Sequence, residues 1–190
     1  MLLASGIRVD SPIIPIIVDP DSKNGDLTRV VSEMRLYEQI HDSLSFNSSL
    51  KSSFFSANIT SLNNDGEFLL PLNGTSGINF DAYIGLNTMS QENQAMMKML
   101  FSNSNLSSTM DVGFKGNPNI GSVVLNQFIQ SNEYKTFENN FVSGDRVMII
   151  SSIFGGTGAS GFPLLLKTMR TSNNKALADS YVASVSLLPY

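Results

Sequence analysis

The sequence predicts an α/β fold, a three-layer sandwich in which a mainly parallel sheet carries helices on both faces. Three stretches of nearly continuous apolar residues have the character of strands that are buried on both sides: residues 13–18, 147–153 and 181–188. Segments with the three-and-four spacing of amphipathic helices lie between these stretches. The alternation of strand and helix patterns is typical of parallel strands joined by helical crossovers.

The composition predicts one globular domain spanning residues 1–190. The chain has 190 residues with 42% hydrophobic content, which is enough for a sizeable core. Its apolar tracts are shorter than the roughly 18 residues of a membrane span, so we expect no membrane span. The net charge of −4 argues against nucleic acid as a partner, since binding a phosphate backbone needs a basic surface. The chain contains no cysteine and shows no secretory signal, so we expect a cytoplasmic location.

The first predicted strand leads into a pair of carboxylates. Residues 1–5 followed by Gly6 have the pattern of a helix end, and residues 13–18 then form an apolar strand. Asp19 and Asp21 follow directly, at the carboxyl end of this strand, where parallel sheets place their ligands. The alternative interpretation is that Asp19 forms a turn and Asp21 is a solvated loop charge.

Residues 26–101 contain two predicted helices and one irregular region. Residues 26–44 have amphipathic spacing and an acidic residue, Asp26, suited to cap a helix. Residues 46–88 are rich in serine and asparagine and are interpreted as an insertion that contains a β-hairpin. Residues 89–101 predict a helix whose methionines and leucine fill the core, namely Met96, Met97, Met99 and Leu100.

The most informative segment is residues 144–161, GDRVMIISSIFGGTGASG, in which an apolar strand runs into a glycine-rich loop. A helix is predicted over residues 162–169, with Pro163 in its first turn. Glycines let the backbone approach a ligand closely, and consecutive amides at a helix N-terminus favour phosphate. The alternative is a tight strand-to-helix connection without a ligand. The predicted phosphate-binding residues are Gly155, Gly156, Thr157, Gly158, Ala159, Ser160 and Gly161, with the two hydroxyls as additional donors.

A second glycine-bearing loop, residues 113–121 (GFKGNPNIG), also leads into a helical pattern. It adds Gly116, Asn117 and Pro118 as candidate binding residues. Lys115 is a candidate point charge for a phosphate, although loop lysines are mostly solvated. Asn117 and Pro118 together are also an ordinary turn signal.

The order of these three loops resembles the nucleotide-binding domain of the tubulin/FtsZ superfamily. The signature of that superfamily, G-G-G-T-G-[ST]-G after a buried strand, is matched by FGGTGAS at residues 154–160. Residues 113–121 resemble its loop of the form G-A-x-G-N-P-x-x-G, and VDPD at residues 18–21 resembles its carboxylate-bearing loop. Two departures are that Phe154 replaces the first signature glycine and that the serine is displaced by one position, to Ser160.

The resemblance implies that GTP or GDP binds to these loops, with Mg²⁺ reached through Asp21 or Asp19. It also implies a filament-forming GTPase, in which the next subunit of a head-to-tail filament completes hydrolysis with an acidic loop. The resemblance covers most residues outside 46–88 but only the middle of a complete domain. The family's first glycine-rich loop, its base-recognising helix and its catalytic loop have no counterpart here. We therefore expect this chain alone to bind guanine nucleotides weakly and to hydrolyse GTP poorly.

Two alternatives follow from the same segments. TGASGF at residues 157–162 resembles the dinucleotide fingerprint of NAD(P)-binding Rossmann domains. That fingerprint normally follows the first strand, with an acidic residue at the end of the next strand, whereas Asp179 here precedes the following strand. The other alternative is a non-catalytic assembly module that keeps the scaffold without productive nucleotide binding.

Overall fold

The structure is a computed structural model that describes residues 5–6, 9–21, 25–44, 54–63, 65–72, 74–114 and 116–188. The expected mixture of helices and strands with parallel pairing is confirmed. The chain forms two compact units, one of residues 1–18 and 22–70 and the other of residues 19–21 and 71–190. The helix end predicted at residues 1–5 and the candidate Lys115 lie outside the described residues, apart from Ser5. Among the described helices, none combines the length and the apolar character that crossing a membrane requires.

The first unit is organised around helix α1, Gly25–Ser43, which confirms the helix predicted for residues 26–44 to within one residue. Tyr37 on this helix packs against Ile59 and Phe68 in a small core. The Tyr37 hydroxyl donates a hydrogen bond of 3.0 Å to the carbonyl of Ala57. The helix is therefore fixed to the segment that follows it by one buried aromatic residue.

Strands β1, Ile17–Asp19, and β2, Leu69–Pro71, form a two-stranded sheet. Only the end of the strand predicted for residues 13–18 is regular, and Ile13 makes an isolated parallel bridge to Ile59. The β-hairpin predicted within residues 46–88 is wrong for the described residues, because both apolar segments pair with the N-terminal segment instead of with each other.

The second unit contains most of the helices, and polar caps explain where several of them begin. Ser90, Ser102, Asn117, Ser131 and Asn174 each accept a hydrogen bond from an amide in the first turn of the following helix. A short 3₁₀ helix, Leu86–Thr88, precedes the first of these capped helices. In chain order the elements are α2 Phe80–Tyr83, α3 Gln91–Leu100, α4 Asn103–Leu106, β3 Asp111–Phe114, α5 Pro118–Phe128, α6 Asn132–Asn140, β4 Arg146–Ser152, α7 Gly156–Arg170, α8 Lys175–Ala178 and β5 Tyr181–Leu187.

Helix α3 confirms the helix predicted for residues 89–101, but the core role predicted for four of its apolar side chains is wrong for three of them; Met97 is partly buried. Met99 is 87% exposed, and Met96 and Leu100 are also exposed. These side chains follow the spacing of one helix face, so the face is apolar but lies outside the core.

Strands β4 and β5 are parallel, in a register that runs from Arg146 opposite Tyr181 to Ser152 opposite Leu187. One face of this pair is partly covered, since Val147 and Val182 pack against the core cluster of Phe141, Met169 and Leu177. At the alternate positions every residue except Ser152 is exposed, and on the partly covered face of β5 the side chains of Ser184 and Ser186 are exposed as well. The two-sided burial predicted for both strands is therefore wrong. Four of the five described strands form two sheets of two strands each.

Candidate functional site

Helix α7 begins at Gly156, immediately after a three-residue connection from β4. The loop predicted for residues 155–161 is wrong in extent, because all but its first residue form the first two turns of the helix. Pro163 is consequently an interior residue of α7 instead of a first-turn residue. Since proline has no N–H, the carbonyl of Ala159 loses the hydrogen bond that a helix normally provides there.

Two of the predicted phosphate-binding glycines are required by close packing. A Cβ atom added at Gly156 would lie 2.8 Å from the Cβ of Phe114 and 3.2 Å from the backbone nitrogen of Asn117. One added at Gly158 would lie 2.5 Å from the backbone oxygen of Ser152. Helix α7 can therefore begin against β4 and against the end of β3 only because these positions carry no side chain.

Ser160 points towards helix α5 and is buried. Its hydroxyl donates a 2.6 Å hydrogen bond to the carbonyl of Gly156, one turn earlier in the same helix. In the structure the hydroxyl proton of Ser160 is thus used inside the helix. Gly161 lies on the same packed side, where an added Cβ would be 3.3 Å from a methyl carbon of Leu125.

The N-terminus of α7 has no side-chain cap. Its N-cap residue is Gly155, in an extended conformation with φ of −90° and ψ of 162°. The amide of Gly155 donates to the hydroxyl of Ser152 at 3.1 Å. Within the described part of the chain, no hydrogen bond is found from the amides of Gly156, Thr157 or Gly158. These donors carry the partial positive charge of a helix N-terminus.

The second predicted loop forms the start of helix α5. The side-chain oxygen of Asn117 accepts hydrogen bonds from the amides of Asn119 and Ile120, at 3.0 and 3.3 Å. Pro118 is in the first turn, and Gly116 has a positive φ of 71° that suits glycine in a turn. The backbone of Asn117 also lies beside Gly156, so the N-termini of α5 and α7 meet.

The remaining members of the glycine segment are accessible. Thr157 and Ala159 are partly buried. Phe154, which stands where the tubulin/FtsZ signature has its first glycine, is 55% exposed. Its ring is therefore not buried inside the glycine segment.

Asp19 and Asp21 form a local turn, in which the amide of Asp21 donates a 2.8 Å hydrogen bond to the carboxylate of Asp19. This hydrogen bond gives Asp19 the turn-forming role that the alternative interpretation assigned to it. Burial raises the pKa of Asp19; the hydrogen bond from Asp21 opposes this effect, and the charge of Asp21 adds to it. In the ranges that the structure describes, no hydrogen bond or ion pair joins either aspartate to residues 155–161.

Asp19 and Asp21 could supply two carboxylates to a metal ion. No group of three or more histidine, cysteine, aspartate or glutamate side chains suited to a metal ion is found among the described residues. Two adjacent carboxylates fit a hard cation such as Mg²⁺, which keeps several waters and takes further oxygens from a phosphate ligand.

Sequence reasoning missed Gly121, which faces the glycine segment from α5. The helix that follows residues 113–117 also contains small residues. Small residues in two helices let the helices pack closely, so this pattern could have indicated the contact.

Neither the family models nor the curated proteins gave a match to the chain, and no solved structure matched its fold.

Proposed function

We propose that this chain is a tubulin/FtsZ-like guanine-nucleotide-binding protein, in which the amides at the start of α7 bind a phosphate group. The observation that supports the proposal is the uncapped N-terminus at Gly155 and Gly156, placed directly after a parallel strand. Backbone amides and the helix dipole together favour an anion at such a position. The proposal includes GTP or GDP as ligand.

The division of roles differs from the one predicted from the sequence. The amides of Gly156, Thr157 and Gly158 are the proposed donors, and the Thr157 hydroxyl is a further candidate. Ser160 supports the helix instead, because its hydroxyl bonds to the backbone. The side-chain oxygen of Asn117 is occupied as a cap, so its contribution is to hold the start of α5 beside α7.

Asp19 and Asp21 are the proposed holders of Mg²⁺. The cation would neutralise part of the charge of a bound di- or triphosphate and, together with its waters, would fix the orientation of the phosphate oxygens. Asp19 gains from a cation, because it lies in the field of the Asp21 carboxylate. For this chain alone we propose binding; hydrolysis would need an acidic loop from the next subunit of a head-to-tail filament.

Calorimetric titration with GTP and GDP in the presence of Mg²⁺ tests the proposal, with ATP and NADPH as competitors for the same site. Gly155→Asp is the decisive variant, since the backbone at Gly155 suits any residue and, among the described residues, an added Cβ meets only the Ser152 hydroxyl, at 3.0 Å. An aspartate there caps the free amides and repels phosphate. We expect at least tenfold weaker binding, corresponding to about 1.4 kcal/mol.

Gly155→Ala is the matched control, because it adds a Cβ without a cap or a charge. Its affinity should stay within a few-fold of that of the unaltered chain. Absence of guanine-nucleotide binding by the folded chain, or equal affinities for the Asp and Ala variants, would contradict the proposal.

A non-catalytic assembly module is the second candidate. It is favoured by the contact between Gly121, Gly156 and Ser160, which accounts for the small residues by helix packing without a ligand. A folded chain that binds no nucleotide would support it. Tighter binding of NADPH than of GTP would favour the NAD(P)-binding alternative, although Asp179 is the C-cap of α8 and precedes β5.

A further inference from the structure

The β4–β5 pair carries an apolar face that no described element covers. We define the sheet face as the alternate positions that point away from the core side of this pair. Its exposed large side chains are Met148, Ile150, Tyr181, Val185 and Leu187, at 61%, 67%, 81%, 39% and 55% exposure.

The sheet face is continuous across both strands. In the parallel register Met148 lies opposite Ala183, and Ile150 lies opposite Val185. The alternate positions of the two strands include one charged residue, Arg146, at the end where both strands begin. The centre of the face is therefore free of charge.

The size of this face is at the upper end of what a monomer normally leaves exposed. Parallel sheets in proteins are almost always covered on both faces. The five side chains together expose on the order of 600 Å², at the upper limit of the largest apolar patch on a typical monomer. A standard interface buries about 800 Å² on each partner, so the sheet face supplies most of the area that one partner needs.

We propose that the sheet face is a self-association surface, on which two copies of this chain pack their β4–β5 pairs face to face about a two-fold axis. An uncharged apolar face is complementary to itself, and a two-fold contact places the same patch on both subunits. An antiparallel arrangement puts the two Arg146 side chains at opposite ends, so that like charges do not meet. Such a contact closes at two copies, unlike a head-to-tail filament. The proposal is independent of nucleotide binding.

Sedimentation velocity of the full chain over a range of concentrations is the first test. We expect a dimer at tens of micromolar. Ile150→Glu places a carboxylate at the centre of the contact and should weaken dimerisation at least tenfold. Met99→Glu is the matched control, because Met99 is an exposed apolar residue on α3, outside the sheet face; this variant should dimerise as the unaltered chain does.

The absence of cysteine provides a second test that does not depend on the charged variant. Ala183→Cys puts one thiol on the sheet face, and Ala95→Cys puts one on the exposed side of α3. A short bis-maleimide, which forms a thioether with each of two thiols, should link Ala183→Cys into covalent dimers on a denaturing gel and leave Ala95→Cys unlinked. Three results would overturn the proposal: a monomeric unaltered chain, an Ile150→Glu variant that dimerises fully, or a concentration-dependent series of larger oligomers.

Discussion

Gly121 on α5 and Ser160 on α7 are so close that a Cβ added to Gly121 would lie 2.3 Å from the Ser160 hydroxyl oxygen. The same added atom would lie 2.8 Å from the carbonyl of Gly156, which accepts the hydrogen bond from Ser160. The hydroxyl is held by that bond, and the carbonyl belongs to the helix backbone, so neither can easily give way. The distance between the two helices is therefore set by the absence of a side chain at Gly121.

Gly121→Ala should lower the free energy of unfolding by about 1–3 kcal/mol, as overpacking of a buried contact does. Urea unfolding followed by circular dichroism measures the change. Gly25→Ala is the control, since an added Cβ there meets nothing within 4 Å, and it should be neutral or stabilising. If both variants unfold at the same urea concentration as the unaltered chain, the close approach of α5 and α7 is not required for stability.

The start of α7 shows how far the sequence predicts this region. Strand β4 was expected at residues 147–153 and lies at Arg146–Ser152, because a β-branched apolar run is a strong local signal. The helix was expected only from residue 162, since glycine has a low helix propensity. Tertiary contacts override that propensity, because the glycines that weaken the helix locally also allow it to pack against β4 and α5.

The pairing of strands was less predictable, because it depends on contacts between distant parts of the chain. The segment around Ile59 pairs with Ile13, whereas the turn residues near Asp65 suggested a hairpin. Those turn residues do form a local turn, in which the Ser61 hydroxyl accepts from the amides of Asp65 and Gly66. A local signal therefore predicted the turn but not the partner of the strand that follows it.

Asn174 joins the end of α6 to the start of α8. Its side-chain nitrogen donates to the carbonyls of Glu138 and Phe141 at 2.7 and 3.0 Å, and its oxygen accepts from the amide of Ala176. Asn174→Ala should cost about 2 kcal/mol, because two partly buried carbonyls lose their donor.

Asn174→Asp keeps the oxygen that caps α8 but removes the nitrogen that donates to Glu138 and Phe141. The carboxylate keeps the acceptor for Ala176 but turns a second oxygen towards two carbonyl oxygens, so at pH 7 it should be no more stable than the Ala variant. Asn119→Ala, at an exposed position of α5, serves as the control and should change stability by less than about 0.5 kcal/mol. Full stability of the Asp variant at neutral pH would show that the two donated bonds contribute little.

Tyr134 is buried, and its hydroxyl has no hydrogen-bond partner among the described residues. Because an unpaired buried hydroxyl costs free energy, Tyr134→Phe should stabilise the protein by about 1 kcal/mol at pH 7. Tyr181→Phe, at an 81% exposed tyrosine, is the control and should be nearly neutral. Equal unfolding free energies for the unaltered chain and Tyr134→Phe would mean that the hydroxyl is solvated.

The same residue should make the protein sensitive to alkali. Burial, with a smaller contribution from the charge of Glu138, raises the pKa of Tyr134 to about 12, from an ordinary value near 10. A raised pKa means that the folded state holds the proton more tightly than the unfolded state does. This stabilisation is fully present below about pH 10 and is lost as the pH rises towards 12. Tyr134→Phe should flatten this part of the curve of unfolding free energy against pH, and an unchanged curve would contradict the assignment.

Asp19→Asn should act in opposite directions on stability and on ligand binding. Burial is the main cause that raises the pKa of Asp19 in the folded state, so the folded state holds this proton more tightly than the unfolded state does. The resulting stabilisation of the fold is complete only below the ordinary pKa of 3.8, and it is lost as the pH rises. At pH 7 the unaltered protein therefore carries a charge that burial disfavours. Asparagine keeps the oxygen that accepts from Asp21, so the variant should gain up to about 1 kcal/mol, a modest value because the site is partly solvated.

Binding should change in the other direction if Asp19 helps to hold Mg²⁺. Addition of Mg²⁺ and GTP should raise the melting temperature of the unaltered chain by mass action, and the Asp19→Asn variant should lose the Mg²⁺-dependent part of that rise. Thermal melts with and without Mg²⁺, at pH 3.5 and pH 7, separate the two effects. If the Asp19→Asn variant is more stable at pH 7 but keeps the full Mg²⁺-dependent rise in melting temperature, Asp19 does not hold the cation. Asp19 is then a turn residue, and other oxygens bind Mg²⁺.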